Sequence, residues 1–151
     1  MIYKNKNFFI EKVKVSRLAK TYSTPLYCYS YKKLSENINY FKRIFKSINP
    51  LICFSVKSNP NKILLSEICK LGLGADVVSI GELMRSLKAG IKPNKIVFSG
   101  VGKTSKEISY AIQKKILLIN AESKSEVLEI EKLAKAKKRK VNIGLRLNPN
   151  T

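Results

Sequence analysis

The chain has 151 residues, 44% of them hydrophobic, which is enough apolar content for a core of ordinary domain size, and a formal net charge of +20. It has no histidine and three cysteines, Cys28, Cys53 and Cys69, an odd number at no metal-ligand spacing. That sets aside a histidine-based triad and a zinc site and argues against a disulfide framework.

The longest aliphatic run is the four residues Ile116 to Ile119, and the opening "MIYKNKNFFIEKVKV" lacks the apolar stretch of a signal peptide. No membrane partner or export is expected, and the setting is expected to be cytoplasmic and reducing. The charge raises nucleic acid as a partner, but 25 lysines and only 5 arginines are spread along the whole length. The one dense run, "KLAKAKKRK" from Lys132 to Lys140, falls at the end of a predicted helix, where lysines are solvated and favourable to the helix dipole. With no aromatic residues interleaved among the basic ones, no specific nucleic-acid partner is expected.

In chain order, "FFIEKVKV" reads as a strand, and "SRLAKTYSTPLYCYS" as a short helix leading into an extended piece. Residues 1–29 are therefore expected to form an arm belonging to another layer of structure. From about residue 30 onward, strands and helices alternate. The expected strands are Leu51–Val56, Ala75–Ser79, Lys95–Ser99, Ile116–Asn120 and Val141–Leu147. Between them lie helical periodicities such as Lys62–Leu71 (Ile63, Leu64, Ile68, Leu71) and Ser125–Lys137 (Val127, Leu128, Ile130, Leu133, Ala134). Asn59-Pro60 reads as a cap followed by a first-turn proline. "SIGE" (79–82), "TSKE" (104–107) and "SKSE" (123–126) match capping boxes. Glycine or proline closes helices at "KLGLG" and "KAGIKPN". This order predicts a parallel α/β sheet, open or closed into a barrel.

Strand parity separates those two options. Ile52, Phe54 and Val56 share one face, and Cys53, Ser55 and Lys57 the other. Val141, Ile143, Leu145 and Leu147 oppose Asn142, Gly144, Arg146 and Asn148. A doubly wound sheet is apolar on both faces. One aliphatic face and one small or polar face predict the first five strands of a (β/α)8, TIM-like barrel with helices outside and a functional interior.

Lys57 then falls at the C-terminal tip of the first barrel strand, where barrels place their active sites. Burial there would leave a nucleophilic amine for a carbonyl; the alternative is a lysine that snorkels to the rim. Asp76 and Arg146 have inward parity, either around that lysine or as a structural ion pair. Glu82 sits where it could simply close a capping box. "FSGVGKT" (98–104) is not a phosphate-binding P-loop, because Val97 stands where the first glycine is required; a tight turn is expected instead.

The stretches "CFSVKSN", "GLGADVVSIGEL", "KAGIKPNKIVFSGVGKT", "LLINAES" and "GLRLNPN" closely resemble, in order, the N-terminal part of diaminopimelate decarboxylases. These are pyridoxal-phosphate enzymes on an alanine-racemase-like barrel. The resemblance runs from about residue 8 to the last residue. "GADVVS-x-GEL" with "VFSGVGKT" is specific, whereas "VK-x-N" alone also admits ornithine, arginine and carboxynorspermidine decarboxylases.

The resemblance implies that Lys57 carries pyridoxal 5'-phosphate as a Schiff base. It further implies that Asp76 and Glu82 are the family's acidic residues near the cofactor, and that Arg146 is the arginine beneath it. Ile80 departs from a glycine often seen in "SGGEL", in the turn rather than on a catalytic group. The implied reaction converts meso-diaminopimelate into L-lysine and carbon dioxide, in an enzyme that is a homodimer at full length. Residues 30–151 would be the N-terminal portion of the cofactor-binding barrel, and residues 1–29 would join a β domain further along the chain. The sequence is thus expected to be a fragment, inactive by itself. A related barrel decarboxylase for another amino acid and a non-enzymatic basic nucleic-acid-binding protein are the alternatives.

Overall fold

A computed structural model describes residues 2–4, 6–147 and 149. The chain divides into two compact units, residues 1–50 and 51–151.

In the first unit, strands β1 (Ile2–Lys4), β2 (Asn7–Ile10) and β3 (Val13–Lys14) form an antiparallel sheet in that order. Tyr3 and Phe8 are directly opposite across β1 and β2, with ring centroids 5.4 Å apart, the cross-strand aromatic pairing that favours this register. Helices α1 (Val15–Tyr22) and α2 (Tyr31–Ile44) follow. Ser30 caps α2 by accepting from the Lys33 N–H. Glu11 Oε1 in turn accepts from Ser30 Oγ at 2.7 Å and from the Lys32 N–H at 3.0 Å. Those bonds, led by the Lys32 amide, hold the Glu11 carboxyl below the usual range. The single strand expected over "FFIEKVKV" is two strands folded back at Glu11 and Lys12, with Glu11 at φ 56°.

The second unit is a repeating β/α pattern. Its strands are β4 (Cys53–Ser55), β5 (Gly74–Val77), β6 (Ile96–Phe98), β7 (Leu118–Ala121) and β8 (Ile143–Leu145). Helices α3 (Lys62–Lys70), α4 (Ile80–Lys88), α5 (Ser105–Lys114) and α6 (Lys124–Ala136) connect them. All five strands pair in parallel in sequence order, β4-β5-β6-β7-β8. A doubly wound sheet reverses its order at a switch point; this sheet does not, so right-handed crossovers place every helix on one face. The α/β class and the barrel-like strand sequence therefore agree with the sequence reading, with each strand shorter than expected.

Register partners in a parallel sheet share a face. Phe54, Ala75 and Ile96 are one such row, and Val77, Phe98, Ile119 and Ile143 another. Ala75, Val77, Ile96, Phe98 and Ile119 are fully buried and form the core with Leu65, Leu83, Ile108 and Ile130 from the helices. Each such aliphatic side chain contributes about 1.5–3 kcal/mol on burial. On α3 the buried stripe is Leu65 and Ile68, whereas Ile63 is 75% exposed, so the expected stripe is rotated. On α6, Leu128 likewise faces out while Ile130 and Ala134 are buried.

Helix starts show how local chemistry sets the boundaries. Asn61, not Asn59, caps α3, accepting from the Ile63 and Leu64 N–H groups, and Asn59 Oδ1 accepts from the Asn61 N–H. Pro60 disfavours helical geometry in the residue before it, which pushes the start past Asn59. Thr104 and Glu107 form a complete capping box. In the other two motifs Ser79 and Ser123 cap as expected, but Glu82 and Glu126 reach one residue further back, to the Val78 and Glu122 N–H groups.

Candidate functional site

The face of the sheet opposite the helices carries Cys53, Ser55, Gly74, Asp76, Val97, Leu118, Asn120 and Gly144. Its bulk is low around Asp76, since Ser55 is the register partner of Asp76 on β4 and Gly74 precedes it by two residues. A Cβ on Gly74 would collide with the Lys95 carbonyl oxygen, so that close approach of the backbones requires glycine. Cys53 lies beside it, and burial, with Asp76 nearby, pushes its thiol up.

Lys57 sits at the C-terminal end of β4, as expected, but it is neither in the strand nor buried. The strand stops at Ser55 and the chain enters a single 3-10 turn, Val56–Ser58. The turn is closed by the Asn59 N–H to the Val56 carbonyl at 3.0 Å and by Ser58 Oγ to the Ser55 carbonyl at 2.7 Å. Val56 is fully buried and anchors the turn, leaving Lys57 exposed. Of the two placements open for it, the rim is the one seen in residues 1–151, and because the strand ends two residues earlier, alternation along it does not set the direction of this side chain.

Asp76 is the first member of a hydrogen-bonded line. Ser99 Oγ donates to Asp76 Oδ1 at 2.6 Å, and Asn120 Nδ2 donates to Ser99 Oγ at 3.0 Å. The Ser99 N–H continues the ladder to the Val77 carbonyl at 2.8 Å, which sets its hydroxyl on the same face as Asp76. The line crosses from β5 past β6 to β7.

Arg146 follows β8 with its side chain 56% exposed. It pairs with Glu122, whose side chain is 10% exposed; Nε lies 3.5 Å from Oε2 and a second nitrogen 3.5 Å from Oε1. Glu82 has one oxygen on the Val78 N–H at 2.9 Å, one residue before the N-cap Ser79, so it does not close the capping box. Among the described residues, no hydrogen bond joins Lys57, Asp76, Glu82 and Arg146 to one another. Asn148, expected to share a face with Arg146, lies outside the described residues.

Sequence reasoning passed over Ser99, Asn120 and Glu122. A signal existed: each is a polar residue ending or following an aliphatic strand, at the parity of the small-residue face. A cleft of 410 Å³ at that end of the sheet is lined by residues that include Gly102, Lys103, Glu122, Ser123 and Glu126. Another, of 390 Å³, lies at the opposite strand ends against Lys115, Arg139 and Lys140, and none of the candidate residues lines it.

Residues 31–151 match the family described as pyridoxal-dependent decarboxylase, pyridoxal binding domain, and the chain belongs to that family. A diaminopimelate decarboxylase of Helicobacter pylori (strain J99) is 48% identical over 133 residues, covering 88% of this chain and 33% of that protein. One of Aquifex aeolicus is 41% identical over 148 residues, covering 98% and 35%. The crystal structure of the Helicobacter pylori diaminopimelate decarboxylase complexed with L-lysine superposes with a TM-score of 0.86 at 45% identity, over 90% of this chain and 34% of that one. The M. jannaschii enzyme in co-complex with L-lysine gives 0.89 at 35%, over 99% and 36%. The chain thus spans about a third of the length of the relatives it matches.

Proposed function

We propose that this chain forms the lysine-bearing part of a pyridoxal-phosphate-dependent decarboxylase that converts meso-diaminopimelate into L-lysine and carbon dioxide. The observation that carries the reading is Lys57, an exposed amine at the C-terminal end of β4, one strand from the polar line that begins at Asp76. The names of the relatives supply the substrate.

The residues present fit the cofactor. Lys57 is a primary amine open to an aldehyde, and Ser55 and Gly74 keep side-chain bulk low on the β4 and β5 part of the face away from the helices. When bound, pyridoxal phosphate supplies an aldehyde that captures amines and a ring that takes up the electron pair left when carbon dioxide departs. Lys57 would hold the cofactor through its side-chain amine. Asp76, oriented by Ser99, would present its carboxylate to the cofactor from the strand next to the one that Lys57 follows. Glu82 and Arg146 complete the cofactor-binding set, with Glu122 steadying the guanidinium.

In this reading residues 1–29 are an arm joined to a separate β domain, and residues 30–151 are part of the cofactor-binding barrel. No helix among the described residues is long and apolar enough to cross a membrane. We assign the enzyme to the cytoplasm and to a homodimer.

The test is carbon dioxide release by the full-length holoenzyme, not by residues 1–151 alone, from meso-diaminopimelate, ornithine and arginine in parallel. Release from diaminopimelate alone is expected. Release from ornithine or arginine instead would move the protein to another branch of the family, and no release from any of them would overturn the reading.

A further inference from the structure

We propose that Ser99 and Asn120 are positioning residues for Asp76, and that Gly144 is glycine because Asn120 must lie over it. The inference rests on the decarboxylase reading above and assigns a role to residues that reading does not use.

The line has a fixed direction. The Asn120 amide nitrogen can only donate, so Ser99 Oγ accepts from it and has one proton left to give. An ionised carboxylate can only accept, and the Ser99 proton goes to Asp76 Oδ1 at 2.6 Å, a short, charge-assisted bond. One oxygen of Asp76 is thereby committed to the sheet and its rotamer is held, while Oδ2 makes no hydrogen bond among the described residues. The far end is held too. A Cβ built on Gly144 would collide with Asn120 Oδ1, so even alanine there must push the amide aside. Asp76, Ser99, Asn120 and Gly144 belong to four neighbouring strands or their immediate ends, and all face the side away from the helices.

A polar line of this kind could serve packing alone. Its location argues otherwise, because it terminates on the carboxylate one strand from Lys57 rather than on a backbone group. A carboxylate held within a few tenths of an ångström acts on its neighbours far more strongly than one free to turn.

The experiment compares the parent holoenzyme with Ser99→Ala, Ser99→Thr, Asn120→Leu and Gly144→Ala. It reads kcat and KM for diaminopimelate, the absorbance band of the bound cofactor, retention of pyridoxal phosphate on dialysis, and the thermal midpoint. Ser99→Ala is expected to lower kcat about tenfold, the worth of a hydrogen bond to a charged group, with KM little changed. It should also shift the absorbance band and weaken cofactor retention. Ser99→Thr, which keeps the hydroxyl, should restore all three. Asn120→Leu and Gly144→Ala should shift the band in the same direction by less. If Ser99→Ala does not accumulate as folded protein, the band shift of Asn120→Leu against Gly144→Ala decides, since both leave the Ser99 hydroxyl in place. Variants that change only the thermal midpoint, with kcat, band and retention at parental values, would overturn the inference while leaving the decarboxylase reading intact. A parent that neither binds the cofactor nor releases carbon dioxide would overturn both.

Discussion

Lys103 Nζ lies 3.0 Å from Glu126 Oε1, with only 1% and 9% of the two side chains exposed. The ammonium also donates to the Gly100 carbonyl at 2.5 Å and sits 5.8 Å from the centre of the Phe98 ring. The other oxygen of Glu126 accepts the Glu122 N–H at 2.7 Å. The lysine of "GVGKT" therefore straps the loop after β6 to the start of α6, and this βα turn has an internal use for its charge.

Breaking this pair from either side should be costly, because the surviving charge stays buried without its partner. Lys103→Met and Glu126→Gln are each expected to destabilise the protein by about 3 kcal/mol, and the double variant by less than their sum. Urea denaturation of the three variants, made in the full-length protein, measures the coupling. Additive losses would show that the two charges do not sense each other.

Glu107 gives a pH dependence with a definite sign. Its carboxyl is held below the usual range, first by the Thr104 backbone N–H, which outweighs the opposing effect of burial, and then by the Thr104 hydroxyl and the Ile80 N–H. A depressed folded-state value stabilises the fold above the ordinary glutamate value of about 4.3 and loses that stabilisation as pH falls through the lower folded value. Glu107→Gln should therefore cost stability at neutral pH and flatten the acid limb below about pH 4. Thr104→Ala, which removes the other half of the box, should cost about 1 kcal/mol. An acid limb unchanged in Glu107→Gln would assign the pH dependence to other carboxylates.

Borohydride reduction of the holoenzyme should fix the cofactor on Lys57, and Lys57→Ala should abolish turnover. Peptide mapping reads the site of attachment directly. An adduct on Lys103 would be the most informative failure, since that would require the buried pair with Glu126 to open.

The charge of +20 should not act as a nucleic-acid footprint. Binding to duplex DNA is expected to be weak, independent of sequence and lost steeply as salt rises. Fluorescence anisotropy across a salt series tests this. Tight, sequence-selective binding at physiological salt would contradict it.

A polypeptide of residues 1–151, expressed by itself, should aggregate and release no carbon dioxide from diaminopimelate. Strands β4 and β8 are the outer strands of the parallel sheet, and Ile143, Leu145 and Leu147 are 41%, 67% and 84% exposed. Light scattering and turnover, with and without a co-expressed polypeptide matching the remaining length of the relatives, separate the outcomes. Turnover by residues 1–151 alone would show that the chemistry needs fewer residues than proposed.

Local sequence determined much of this protein. The strands, helices and three of the helix caps follow from periodicity and from side chains that bond within three or four residues, so neighbours in the chain suffice to specify them. The polar face of the sheet was legible for the same reason, since alternation along a strand is local. Tertiary structure alone decided the rest. Lys57 lies in a turn rather than in the strand because the strand ends at Ser55 and the buried Val56 pins that turn, a choice made by packing against the core. Asp76, Ser99 and Asn120 form one line only because the parallel register aligns residues more than 20 positions apart. Lys103 and Glu126 meet across a similar separation, where no spacing rule along the chain applies. Contacts of that range depend on which strands lie side by side and in what register, and the fold fixes both only as its core closes.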